Sequence, residues 1–243
     1  MKKLLCALVA GIVSLSGGTA SGQEEGVSID VGTDWLSGYI WRGQVLGSDN
    51  HIVLQPNASI TFGESGFAVG LWGSFFLAKI REDRFDPVDE LDYFVSYDRA
   101  LGESFGVSLG YTQYSFPNVR EIGAINHSEE FWVGLSMNNV FAPSVTYFYD
   151  FGIVDAYYLT AGIAPEFKLR EDEDASTLSL GASIAFSGEG YGGSSGFNDL
   201  TITVALNKTM GRFTFSPTVG VAMADDSVNP DDATFWYGLL VAF

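Results

Sequence analysis

The chain has 243 residues, 12 of them basic and 30 acidic, for a formal net charge of −18. With no basic stripe, such a chain repels a phosphate backbone, which excludes nucleic acid as a partner. Apolar residues make up 47% and aromatic residues 14%, too many for the disorder that acidity alone would suggest.

The first element is a leader. Lys2 and Lys3 precede an apolar run from Leu4 to Leu15, and small residues follow from Ser16 to Gly22. These are the three parts of a secretory signal, and the run is too short to span a bilayer as a helix. Cleavage is expected after Gly22. Cys6, the single cysteine, would leave with the leader, so neither a disulfide framework nor a thiolate metal site is expected. The expected plan is a signal over 1–22 and one barrel over 23–243.

After residue 22 no stretch approaches the roughly 18 uninterrupted apolar residues of a spanning helix. Apolar residues instead alternate with small or polar ones over segments of about ten residues. In chain order the expected strands are 26–35, 51–62, 66–78, 88–99, 105–116, 128–138, 143–150, 154–168, 175–187, 197–207, 211–223 and 233–243. The segment 175–187 sets Leu178, Leu180, Ile184 and Phe186 against Thr177, Ser179, Gly181 and Ser183. The next sets Leu200, Ile202, Val204 and Leu206 against Asp199, Thr201, Thr203 and Ala205. A strand sends alternate side chains to opposite faces, so each segment has a large apolar face and a lean one. Pro56 and Pro165 fall inside strand patterns at outward positions, where a missing N–H weakens the ladder.

The pattern predicts an all-β fold, a closed antiparallel transmembrane β-barrel of about 12 strands. A soluble β-sandwich also alternates, but these segments are long for a sandwich. Aromatic residues also stand near the strand ends, at Tyr93, Tyr97, Tyr111, Tyr147, Tyr149, Phe67, Phe105 and Phe213, as at two membrane interfaces. Connections alternate between short turns and longer polar loops, and an even strand count puts both termini on the periplasmic side. The last strand carries Phe235, Tyr237, Leu239, Val241 and Phe243 on one face. It resembles the C-terminal signal that the barrel-assembly machinery reads in outer-membrane proteins. The expected surroundings are outer-membrane lipid, and no lipid-facing patch of small residues marks an oligomer.

The stretch Val31-Gly-Thr-Asp-Trp-Leu-Ser-Gly-Tyr-Ile-Trp-Arg-Gly43, followed by Ser48-Asp49 and Gln55, resembles the opening of the porin-like TorF family, also called Gcw_chp. Gly66-Phe-Ala-Val-Gly-Leu-Trp-Gly-Ser74, Glu90-Leu-Asp-Tyr-Phe-Val-Ser-Tyr97, Gly110-Tyr-Thr-Gln-Tyr-Ser-Phe-Pro117 and Glu130-Phe-Trp-Val-Gly-Leu135 are similar too. The chain departs from the family by Leu36-Ser37-Gly38 before its Tyr-x-x-Arg-Gly element, and by Gln55 before Pro56 rather than after it. The resemblance implies a pore and names no substrate.

Lean-face parity places Asp30, Asp34, Asp92, Asp98, Glu130, Asp150, Glu166 and Asp199 inward, against Lys168 and Arg212. Asp34, Asp92, Glu130, Asp150 and Asp199 are expected in the external half, as an acidic vestibule that focuses cations. Asp98, Glu166, Lys168 and Arg212 are expected at the periplasmic end, where they can pair. The expected function is passive passage of small solutes with a weak cation preference. Trp72, Phe76, Phe94, Trp132, Phe148, Tyr158 and Trp236 are also inward, and such bulk equally suits a closed structural or adhesive barrel. Within 36–50, Tyr39, Ile40, Trp41, Arg42 and Gly43 are too apolar for an ordinary external loop. Two readings are open. The loop folds inward as a constriction with Arg42 facing acids such as Asp34, or Tyr39 and Trp41 extend the first strand with Arg42 outside.

Other chemistry is weakly marked. The acidic loops 82–90 and 224–232 lack the spacing and glycine of an EF-hand and read as solvated charge, so no metal site is assigned. His51 and His127 are the two histidines, and neither sits in a pattern that pairs it with a nucleophile and an orienting acid. An outer-membrane lipid-modifying enzyme is therefore the least favoured alternative, and no enzyme and no cofactor are expected.

Overall fold

The structure is a computed structural model, and it describes residues 26–46, 52–77, 89–117, 126–169, 176–192, 194–231 and 233–243. The expected leader, Ser48, Asp49, His51 and most of the acidic loop 82–90 lie outside the described residues.

Strands appear where the sequence alternates. They are β1 (Ser28–Leu36), β2 (Tyr39–Trp41), β3 (Gln44–Leu46), β4 (Val53–Thr61), β5 (Phe67–Phe76), β6 (Glu90–Leu101), β7 (Phe105–Ser115) and β8 (His127–Met137). Then follow β9 (Ser144–Asp150), β10 (Ala156–Ile163), β11 (Glu166–Lys168), β12 (Thr177–Ser187), β13 (Gly196–Met210), β14 (Phe213–Ala224) and β15 (Thr234–Ala242). Two single-turn 3-10 helices, Gly63–Ser65 and Glu189–Tyr191, sit in connections.

All strands but β2 and β3 form one antiparallel sheet whose neighbours follow chain order, and β1 pairs with β15 to close it. The closing register runs from Gly32↔Ala242 to Leu36↔Gly238. Val31 and Phe243 then exchange backbone hydrogen bonds of 3.3 and 2.9 Å. Closure leaves no open sheet edge, which is what a lipid environment demands of a spanning sheet.

β10 and β11 are one barrel strand. Both pair with β12 in a single register, from Tyr158↔Ser187 to Lys168↔Thr177. The break falls at Pro165, which has no N–H to give, although its carbonyl still accepts from Leu180 N–H at 3.0 Å. With those two merged, the 13-stranded sheet is a barrel of twelve. Pro56 keeps its partner Thr33 on β1, but the β4–β5 ladder lapses at Gln55 and Pro56 and resumes at Asn57↔Trp72.

The outward face is apolar and uncovered. Val133, Leu135, Ile202, Val204, Phe235 and Tyr237 are all exposed, alongside the strand-end aromatics Tyr93, Phe67, Phe105 and Phe213. A water-soluble protein rarely leaves so continuous an apolar surface bare. The inward face divides by height. Toward the end where β1 finishes, here the loop end, Leu36, Trp72, Phe76, Trp132, Phe148, Tyr158, Trp236 and Leu240 are buried inside the barrel. Toward the turn end, lumen-facing Asp30 is exposed, and Ser59, Thr61, Asp98 and Ser179 are half-exposed.

Three of the inward rings lie on glycines. Phe94 pairs with Gly70, Trp132 with Gly110 and Trp236 with Gly220. A Cβ on any of these glycines would stand 2.3–2.4 Å from the ring opposite. The missing side chain is what lets each large ring lie flat along the wall.

Candidate functional site: a hairpin plug in the loop end of the lumen

The segment after β1 turns back into the barrel. β2 and β3 pair as a small hairpin, Tyr39↔Leu46 to Trp41↔Gln44, around the two-residue turn Arg42–Gly43. Both turn residues have positive φ, 51° and 79°, the requirement of a type I′ turn. Glycine adopts this conformation freely. Arginine there costs about 1–2 kcal/mol, so its contacts must offset that.

Arg42 is 6% exposed, and its guanidinium meets Glu130 in a two-pronged pair. Nη1 donates to Oε2 at 2.7 Å and Nη2 to Oε1 at 2.8 Å. Nη1 also donates to the Tyr191 hydroxyl. Tyr114 donates to Glu130 Oε1 at 2.9 Å, so the carboxylate is fixed from a second side. Four rings surround the cation. Its Cζ lies 4.7 Å from the Trp41 centroid, 4.7 Å from Phe148, 4.5 Å from Tyr158 and 5.2 Å from Tyr191. Each distance is inside the cation–π range. Burial raises the Tyr191 phenol above its ordinary value, with Arg42 opposing and Glu130 adding, so it remains neutral.

The rest of the plug is held by the wall. Asn198 Nδ2 donates to the Arg42 carbonyl at 2.8 Å, while Ser187 Oγ donates to Asn198 Oδ1 at 2.7 Å. Asn198 reaches inward because the β12–β13 register slips there: Phe186 faces Phe197, yet Ala185 faces Asp199. The extra residue of a β-bulge is re-aimed, and Asn198 and Asp199 both become buried. Tyr39 donates to Glu90 Oε2 at 2.8 Å at the other side of the hairpin. At the tip, a Cβ on Gly43 would come within 2.9 Å of the Ala224 and Asp199 side chains.

The sequence-derived lumen residues therefore fall into groups. Glu130, Trp132, Tyr158 and Asp199 stand near or under the hairpin, and Trp72 packs against Tyr39 with centroids 5.6 Å apart and the rings tilted by 52°. Asp150 is buried but bound: it accepts from Ser128 Oγ at 2.7 Å and from the Gly152 and Val154 amides, tying down the β9–β10 loop. Asp199 accepts from Tyr158 at 2.8 Å and Thr201 at 3.0 Å. Asp34 and Asp92 are buried, and each has one carboxylate oxygen without a hydrogen-bond partner. Phe94 is half-buried at mid-height, and Asp30 is exposed toward the turn end.

The hairpin turns inward and Arg42 faces a lumenal acid, which is Glu130 on β8 across the barrel rather than Asp34. Three other expectations change. The external acids do not form an open vestibule, because the hairpin fills that end and Glu130, Asp150 and Asp199 are spent on its contacts and on a neighbouring loop. Asp98, Glu166, Lys168 and Arg212 do not pair: Glu166, Lys168 and Arg212 are exposed, and Glu166 meets Ser179 at 3.5 Å instead. Arg212 is not on the lumen wall. β13 runs on to Met210, which leaves Arg212 in the tight turn after Gly211, whose φ is 65°.

Parity alone did not single out Glu90, Tyr114, Tyr191 and Asn198. Glu90 lies two residues from Asp92 and Tyr114 two from Thr112, so both share an inward face. Tyr191 is the one aromatic of a glycine-rich loop. Asn198 has no sequence signal, since regular alternation points it outward. His127 is exposed beside Asn126 and Glu129, 3.4 Å from each.

A family model described as "Bacterial protein of unknown function (Gcw_chp)" matches residues 18–205. No curated protein matches the sequence. Among solved structures, the chain is similar to one titled "KdgM porin", with 13% identity, a TM-score of 0.56, and 88% of this chain and 98% of that one covered. A second, titled "NanC porin", gives 13% identity, a TM-score of 0.53, and coverages of 89% and 99%. At such identity the likeness is one of fold, that of an outer-membrane porin barrel.

Proposed function

The chain belongs to the Gcw_chp family, and from that premise and the lumen we propose that it is an outer-membrane porin-like barrel that passes small solutes passively, with a weak preference for cations. The observation that carries the reading is the unbalanced charge of the inner wall. Toward the turn end, Asp30, Asp98 and Glu166 are set against Lys168 alone among the described inward residues, while the loop-end acids are buried, or bound to the hairpin or a neighbouring loop. A low-dielectric wall focuses such a field, concentrating cations and repelling anions. The porin titles of the similar structures support the same class.

Export under the leader 1–22, insertion by the barrel-assembly machinery through the Phe235–Phe243 strand, and periplasmic placement of the turn end and both termini complete the proposal. The hairpin occupies the loop end, so passage requires it to move. The packing around it favours a second reading, a closed structural or adhesive barrel. Planar-bilayer recording in a KCl gradient separates the two. Channel steps with a reversal potential favouring K⁺ are expected. A potential favouring Cl⁻ overturns the cation preference, and silence of both the intact barrel and a variant lacking residues 39–46 establishes the closed reading.

A further inference from the structure

The wall groups around Arg42 make a binding site in their own right. Glu130 is 0% exposed and presents both carboxylate oxygens in one direction, with Tyr114 fixing its orientation. Phe148, Tyr158 and Tyr191 turn ring faces toward the same point. All of these belong to the barrel wall or to the β12–β13 loop, and only the arginine and Trp41 come from the hairpin. Withdrawing the hairpin therefore leaves an aromatic box with a buried carboxylate at its base.

The chemistry of the box is selective. A buried carboxylate without a partner is strongly unfavourable, and aromatic faces attract cations. A carboxylate presenting two parallel acceptors matches a planar two-donor fork better than a compact ammonium. A guanidinium is also weakly hydrated and stacks on rings, so it enters an aromatic enclosure more readily than a hydrated metal ion.

We propose that this box is a binding site for small organic cations bearing a guanidinium group, and that Arg42 is its built-in occupant, displaced when such a solute binds and the hairpin withdraws. The inference rests on the pore reading and gives it a solute class. It makes the hairpin a competitor of the solute.

The test uses the purified full-length barrel in detergent micelles, with correct folding checked by heat-modifiable migration. Methylguanidinium is titrated against N-methylurea, its neutral counterpart of similar shape, and binding is read by calorimetry and tryptophan fluorescence. In Arg42→Ala, methylguanidinium should bind at least about tenfold more tightly than N-methylurea. Adding Glu130→Gln should abolish that preference, and the unaltered protein should show little binding. Asn198→Ala keeps Arg42 but frees its carbonyl, and should bind methylguanidinium between these extremes. Equal binding of cation and urea in Arg42→Ala and Asn198→Ala overturns the proposal, as does a preference that survives Glu130→Gln. Conductance of the same preparations reports on the pore separately. Selective binding without conductance removes the pore and keeps the site, and conductance without selective binding does the reverse.

Discussion

At the scale of single residues, the lumen is shaped as much by missing side chains as by large ones. Gly220 and Trp236 are register partners, and the indole lies where a Cβ of residue 220 would be. Gly220→Val should force Trp236 off the wall and cost about 1–3 kcal/mol, the range for overpacking. Urea unfolding in lipid vesicles reads the loss, and an unchanged midpoint would show that the ring has room to move. The pairing was half legible. Alternation put Trp236 inward, but which glycine lay beneath it depended on the register between β14 and β15, and a single sequence does not reveal cross-strand register.

At the scale of elements, the hairpin Tyr39–Leu46 is a module whose backbone and side chains act together. Gly43 holds a φ of 79° and abuts Ala224 and Asp199. Valine at this position is strained by its conformation and by the wall at once. Gly43→Val should therefore dislodge the hairpin while leaving the barrel ladders intact. The expected result is a several-fold rise in mean single-channel conductance with unchanged heat-modifiability, and a conductance equal to that of the unaltered protein would show that the hairpin does not limit passage. The sequence marked this element as odd, because Tyr39, Ile40 and Trp41 are too apolar for water. It did not reveal the direction of the fold. Arg42 had several acids of equal standing to choose from, and the choice of Glu130 is made by the reach of a short hairpin across the barrel. The bulge at Asn198 was invisible for a related reason. Alternation assumes regular pairing, and a one-residue slip reverses it locally.

At the scale of the whole molecule, twelve strands were legible because the bilayer imposes a two-residue period on every segment. The faces can be tested as a pair. Val204 is outward and exposed midway along β13, while Thr203 is inward. Val204→Arg should destabilise the barrel by about 2–4 kcal/mol, the cost of a cation at the bilayer midplane. Thr203→Arg should be tolerated and should move the reversal potential toward anions. Folding titrations in vesicles check the first and bilayer recording the second, and equal destabilisation by both would mean that the two faces have been interchanged. Finally, every barrel pairing joins strands that are neighbours along the chain except the β1–β15 seam, which brings Gly32 to Ala242. That seam cannot form until the last strand has been laid down. The hairpin follows β1 directly, yet Arg42 is fastened to Glu130 and to Asn198, 88 and 156 positions away. Its berth exists only once the later wall has been built. The hairpin's fastening therefore requires β8 and β13 to be in place, although its own residues are among the first to be made.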